Sequence, residues 1–141
     1  MIALTQVKAQ INNPIQWSFT AKKIADKTYE LQMTATIGNK WHLYAQDAGE
    51  GPEPTSFKFV PNPLVTLDGK VKEIGKMEKS FDKNFNSTLK FYSHTVTFTQ
   101  KVKLKTAAAT LIKGTVTYMT CDDHQCLPPR DVPISIKVGG K

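Results

Sequence analysis

Cys121 and Cys126, with four residues between them, are the residues of this sequence best suited to chemistry. They stand in the stretch Tyr118-Met119-Thr120-Cys121-Asp122-Asp123-His124-Gln125-Cys126-Leu127-Pro128-Pro129. Three kinds of chemistry compete. A structural disulfide would clasp the loop, but closing a ring of about six residues contributes only about 2 kcal/mol through chain entropy, the low end for any disulfide. A metal site would draw on Cys121, His124 and Cys126. Closed structural zinc wants four ligands, however, and the other histidines, His42 and His94, fall on separate segments. A redox pair would cycle between dithiol and disulfide, and a short, exposed ring is readily reduced. His124 lowers a neighbouring thiol's pKa when protonated, whereas Asp122 and Asp123 raise it by like-charge repulsion. The metal reading is the weakest of the three. Spacing alone does not separate the redox reading from the structural one.

The elements that must position this pair read as strands. Ile15, Trp17, Phe19 and Ala21 alternate with Gln16, Ser18, Thr20 and Lys22; Leu31, Met33, Ala35 and Ile37 alternate with Gln32, Thr34 and Thr36. Further strands are expected over Trp41–Gln46, Thr55–Val60, Leu64–Leu67, Val71–Ile74, Leu89–Ser93, Thr95–Lys105, Ala109–Thr120 and Val132–Val138. Turn signals separate them: Gly38-Asn39, Gly49–Pro54, Pro61-Asn62-Pro63, Asp68-Gly69 and the run Asp122–Pro129. No stretch holds apolar residues at helical spacing for three turns. The sequence therefore predicts an all-β, antiparallel sandwich of immunoglobulin-like type in a single domain over 13–141. An antibody-type domain is excluded, because its paired cysteines lie far apart in sequence. Both sulfurs are expected at the tip of a hairpin-like connection, since Pro128-Pro129 forbids a regular ladder directly after it.

Composition narrows the function. With 141 residues, 40% hydrophobic and 22% charged, the chain can bury a core without metal or a disulfide framework. No apolar run approaches the roughly 18–20 residues of a membrane-spanning helix. The formal charge, 19 basic minus 12 acidic residues, is +7, but Arg130 is the only arginine. Base and phosphate readers rely on the guanidinium fork, so no nucleic-acid partner is expected. Lys101, Lys103 and Lys105 alternate with Val102 and Leu104, the pattern of a strand's wet face. Trp17, Phe19, Phe57 and Phe59 read as core, and His94 as a surface residue rather than a base. No Gly-x-Ser-x-Gly elbow presents a nucleophilic serine.

Two segments fall outside the strand pattern. Residues 1–12 are expected to be a flexible terminus, and Thr5–Gln10 carries the small residues of a trimmed signal-peptide site without the charged and apolar regions that should precede it. Gly75–Ser87 is polar and reads as a long connection holding two lone aromatics, Phe81 and Phe85.

The stretch GTVTYMTCDDHQCLPP, followed by VPISIKV, resembles the N-terminal periplasmic domain of DsbD, the transmembrane thiol:disulfide interchange protein. Trp41-His42-Leu43-Tyr44 and Pro54–Phe59 are also similar, and the resemblance runs from Asn13 to Val138. It implies an immunoglobulin-like electron relay in the bacterial periplasm, the soluble part of an inner-membrane protein. The chain would be a monomer, either a piece of that longer protein or a free-standing domain of the same type, and needs no cofactor. Such a domain takes two electrons from a thioredoxin-like domain of the same or a partner membrane protein. It passes them to periplasmic disulfide isomerases and to thioredoxin-like proteins of cytochrome c maturation, serving as the carrier component of a protein-disulfide reductase.

By the same resemblance Cys126 forms mixed disulfides with partners and Cys121 resolves them. A cap over 81–85 covers the pair, with Phe85 favoured over Phe81 as its lid. Tyr44 matches an aromatic beside the disulfide, His42 stands where another aromatic is expected, and Tyr118 and His124 complete the surround. The loop departs from the family's best-known form in having one residue fewer between the cysteines and Leu127 where an aromatic stands. The competing expectation is a non-catalytic immunoglobulin-like binding module whose disulfide is structural.

Overall fold

The computed structural model describes residues 13–140 and is built from eleven strands. These are β1 (Ile15–Ala25), β2 (Thr28–Ile37), β3 (His42–Tyr44), β4 (Ser56–Phe59), β5 (Val65–Ile74), β6 (Glu78–Asp82), β7 (Ser87–Tyr92), β8 (Thr95–Leu104), β9 (Thr110–Tyr118), β10 (Thr120–Cys121) and β11 (Arg130–Val138). They form three antiparallel sheets of order β1-β2-β8-β5, β10-β3-β7-β6 and β11-β9-β4. The architecture is the expected immunoglobulin-like sandwich. The expectation of a flexible, trimmed terminus over 1–12 lies outside the described residues.

The main core follows from the alternation. Leu31, Met33 and Ala35 of β2 and Val96, Phe98 and Val102 of β8 point inward, with Met33 opposite Phe98 and Ala35 opposite Val96. Leu43 and Tyr92 from the second sheet and Ile112, Val116, Ile134 and Ile136 from the third close on them. Each large apolar side chain removed from water contributes roughly 1.5–3 kcal/mol. Trp17, Phe19, Phe57 and Phe59 pack against this core while only partly buried, and Trp17 lies edge-on to Tyr118 at 5.6 Å between ring centroids. Lys101, Lys103 and Lys105 are exposed, as the strand's wet face requires.

Four local expectations are corrected. Asp68-Gly69 does not separate two strands: β5 runs through it with a register break between Asp68 and Lys72. Gly69 takes φ +81°, and the inward-facing amide of Gln100 donates to the carbonyls of Gly69 (3.1 Å) and Lys101 (2.9 Å), so the bulge keeps a partner. Gly75–Ser87 is not a long open connection, since β6 pairs with β7 across a turn at 83–86. This edge strand, Glu78-Lys79-Ser80-Phe81-Asp82, is largely exposed on both faces, so no buried face imposes a hydrophobic period on it. The expected strand Trp41–Gln46 is only His42–Tyr44, and the chain from Ala45 leaves the ladder. Finally, the strand expected over Ala109–Thr120 breaks at Met119. β9 ends with Tyr118 opposite Arg130 of β11, and β10 then takes β3 as partner, with Thr120 opposite Leu43 and Cys121 opposite His42.

Candidate functional site

That change of partner carries the first cysteine onto the outer face of the second sheet. Register puts Cys121, His42, Tyr44, Phe91, Leu89, Ser80 and Asp82 on this one face, because directly paired residues of neighbouring strands point the same way. Tyr44, Ala48, Leu89 and Cys121 form a second, small buried cluster there, and Phe85, Phe91 and Met119 pack against it. Its location explains the early end of β3. The stretch after Tyr44 folds back over the face, with the Ala45 amide donating to the Lys90 carbonyl (3.0 Å) and the Lys90 amide to the Ala48 carbonyl (2.9 Å).

Cys121 and Cys126 are joined by a disulfide. Their surroundings differ: Cys121 is 4% exposed, whereas Cys126 is exposed in the loop. The loop is shaped by Asp122, whose Oδ1 accepts from the amides of His124 and Gln125, both at 2.8 Å. Those contacts, His124's first, hold the Asp122 carboxyl below the usual carboxylate range. The Asp122 amide donates to the Gln125 carbonyl (2.8 Å) and the Leu127 amide to the Thr120 carbonyl (2.9 Å), closing the ring over the end of β10.

The side chains singled out by sequence separate into three groups. Tyr44 and His42 share the face of Cys121. Burial, with Asp82 adding to it, pushes the Tyr44 phenol up to about 12. His42 stands edge-on to Phe91, 4.4 Å between centroids, with Nδ1 3.4 Å from Ser93 Oγ. Phe85, in the β6–β7 turn, packs on the Cys121 cluster, whereas Phe81 is 59% exposed at the edge strand. His124 is exposed in the loop, and Tyr118 is 2% exposed in the main core, away from this cluster. His94 occupies an exposed turn at φ +69°.

Sequence reading passed over Phe91, Leu89, Ala48 and Met119 as parts of the site. The alternation of Leu89 and Phe91 within their strand was the available signal, while Ala48 and Met119 join only through tertiary contact. Two hollows adjoin the loop. One of about 310 Å³ lies between the β6–β7 turn and the loop and is lined by His42, Tyr44, Phe81, Asp82 and Asp122. The other, of about 380 Å³ and more apolar, is lined by Tyr118, Leu127, Pro128, Pro129 and Arg130.

An immunoglobulin-like sandwich that sets one half of a short-ring disulfide in an outer-face cluster and leaves the other half in solvent defines a class of domain suited to thiol–disulfide exchange. Within that class, the chain belongs to the DsbD N-terminal family: the family model described as "Thiol:disulfide interchange protein DsbD, N-terminal" matches residues 9–136. No curated protein matches the chain in sequence. Among solved structures, the chain is similar to the N-terminal periplasmic domain of ScsB from Proteus mirabilis, with TM-score 0.66 and 16% identity. The match covers 89% of this chain and 47% of that one, so this chain spans about half of its length. It is also similar to the Neisseria meningitidis DsbD N-terminal domain in the reduced form (TM-score 0.57, 20% identity, 90% of this chain and 87% of that one). A third neighbour is the complex between the DsbD and PilB N-terminal domains of the same organism (TM-score 0.50, 18% identity, 83% and 80%). At these identities the likeness is one of fold. Family and disulfide together fit thiol–disulfide exchange.

Proposed function

We propose that this chain is a periplasmic electron relay that passes two reducing equivalents through Cys121 and Cys126 to thioredoxin-like partners. The observation that carries the reading is the unequal exposure of the two linked cysteines, 4% for Cys121 against a solvent-exposed Cys126. Exchange requires a thiolate to approach one sulfur in line with the S–S bond. The exposed Cys126 is the half a partner reaches.

In the loading half-reaction a donor thiolate attacks Cys126 Sγ, the Cys121–Cys126 bond breaks, and Cys121 leaves as a thiolate that takes up a proton. The donor's second thiolate then attacks its own sulfur in the mixed disulfide, releasing Cys126 and leaving the donor oxidised. In the unloading half-reaction the Cys126 thiolate attacks an acceptor disulfide and forms a mixed disulfide. Cys121 then attacks Cys126 Sγ, reforms the internal bond and releases the acceptor as a dithiol. Two electrons move in each half, and the domain returns to its starting state. Phe85, seated on the Cys121 cluster, is the cap that a docking partner displaces; Tyr44 and His42 line the floor beside it. Protein docking is supported by the complex that a neighbour's DsbD N-terminal domain forms with a PilB N-terminal domain, and a periplasmic site by the ScsB domain's description.

Equilibration of the purified chain in glutathione buffers of graded potential, with the Cys121–Cys126 state read by mass, tests the proposal. Reversible interconversion in the folded protein is expected. A bond that resists reduction until the chain is denatured would leave the non-catalytic binding module as the reading.

A further inference from the structure

The cluster that holds Cys121 is packed from outside by Phe85, which a turn brings in and a backbone surface receives. The turn is fixed locally. Asp82 Oδ1 accepts from the amides of Asn84 (2.8 Å) and Phe85 (3.2 Å), and Asn86 closes the hairpin at φ +53°. The receiving surface is Gly49-Glu50-Gly51-Pro52, in the stretch that folds back after β3. It is tied to its neighbours by the Glu50 amide donating to Ser87 Oγ (3.2 Å) and the Glu53 amide to Met119 Sδ (3.4 Å), and Pro52 is buried.

Gly51 sits where these parts meet. A Cβ placed on it would lie 2.3 Å from Phe85 Cδ1, 2.6 Å from Cγ and 2.8 Å from Cβ, closer than non-bonded carbons approach. The Phe85 side chain therefore lies directly on the bare Cα of Gly51. The residue also takes φ +125°, which an L side chain rarely adopts. Gly69 separates the two demands: it has φ +81°, yet nothing lies within 4 Å of a Cβ built there.

We infer that Gly51 is a positioning residue for the exchange site. Its missing side chain is the seat that lets Phe85 close over the Cys121 cluster, and any substituent there unseats the ring and opens Cys121 to solvent. Because Cys126 is already exposed, the seat controls access to the resolving cysteine rather than to the attacking one. The inference rests on the exchange reading above for its meaning, while its geometry stands independently.

The test is site-resolved alkylation of the reduced full chain by iodoacetamide, read by mass at each cysteine. A closed state that leaves about a tenth of molecules open sets the scale. Phe85→Ala and Gly51→Ala should each raise Cys121 labelling roughly tenfold, and Cys126 labelling should move less than about twofold. In a Phe85→Gly background, which removes the ring and also the Cβ that would lie 2.8 Å away, the change Gly51→Ala keeps its backbone cost but loses its collision, so it should add less than about twofold at Cys121 over Phe85→Gly alone. Gly69→Ala, with the same sign of φ and open space, should leave Cys121 labelling unchanged. Unchanged Cys121 labelling in Gly51→Ala, or full multiplication of the two effects in the double mutant, overturns the inference. Should Gly51→Ala fail to fold, recovery of folding in the double mutant supports the collision, and failure to recover overturns it. The exchange reading fails separately, when the wild-type pair does not interconvert in glutathione buffers.

Discussion

Cys121 and Cys126 are bonded to each other and occupy opposite environments, the first packed with Tyr44, Ala48 and Leu89, the second in water. The difference arises because β10 pairs with β3 and presses Cys121 onto the outer face, while the turn organised by Asp122 returns Cys126 above it. A symmetric loop would offer a partner either sulfur. This one offers Cys126.

The division of labour predicts unequal trapping. Cys121→Ser should accumulate a mixed disulfide through Cys126 with a thioredoxin-fold protein that lacks its resolving cysteine and carries its remaining one as a disulfide with 5-thio-2-nitrobenzoate, which leaves as the thiolate; Cys126→Ser should trap roughly tenfold less, its remaining thiol being buried. Non-reducing electrophoresis after a fixed incubation measures both. Equal yields would remove the assignment.

Reduction should leave the fold standing. The ring closed by this disulfide contributes about 2 kcal/mol, against a main core in which Phe98, Leu31, Met33 and Val116 are wholly buried. Far-ultraviolet circular dichroism of the reduced protein at 25 °C should match that of the oxidised form. Its urea midpoint should fall by the equivalent of about 2 kcal/mol. Loss of the strand signal would mark the disulfide as a structural clasp.

Tyr44 predicts an alkaline limb. Its phenol ionises near pH 10 in the unfolded chain and about 12 in the folded one. Below pH 10 both states hold the proton and the contribution is fully present. Between 10 and 12 the unfolded state gives up its proton first, so stability falls as pH rises, by roughly 2–3 kcal/mol at most. Tyr44→Phe should make the decline in urea midpoint shallower over that window. An identical decline would show that Tyr44 ionises as freely in the fold as outside it.

Glu73 should matter to stability although it lies away from the cysteines. From β5 its carboxylate accepts from the Tyr92 hydroxyl (2.5 Å), the Gln46 amide (2.8 Å) and Gln46 Nε2 (3.1 Å), joining the first sheet to β7 and to the stretch after β3. Burial, reinforced by that bond and by the nearby charge of Glu73, pushes the Tyr92 phenol well above its ordinary value. Glu73→Ala leaves a buried hydroxyl without its acceptor and should cost about 2 kcal/mol by urea unfolding. A change below about 0.5 kcal/mol would mean that water replaces the carboxylate.

The alternation of Leu31, Met33 and Ala35, and of Val96, Phe98 and Val102, was enough to set which side of β2 and β8 is buried, and hence the sandwich. A strand's own period reports its two faces. The cysteine motif was equally local, since residue type, four-residue spacing and the following prolines all lie in one short stretch. What the chain could not announce locally depends on segments meeting from afar. β6 has no inward face and therefore no period, so only its pairing with β7 reveals a strand. The break at Met119 exists because Cys121 gains His42 as a neighbour when β10 turns to β3, a choice made by strand pairing rather than by the residues at the break. Gly49–Pro54 reads as a turn in sequence, and only the arrival of Phe85 against Gly51 makes it a seat. Local chemistry thus decided that the two cysteines stand within bonding reach of each other, and tertiary packing decided which half of the bonded pair meets solvent.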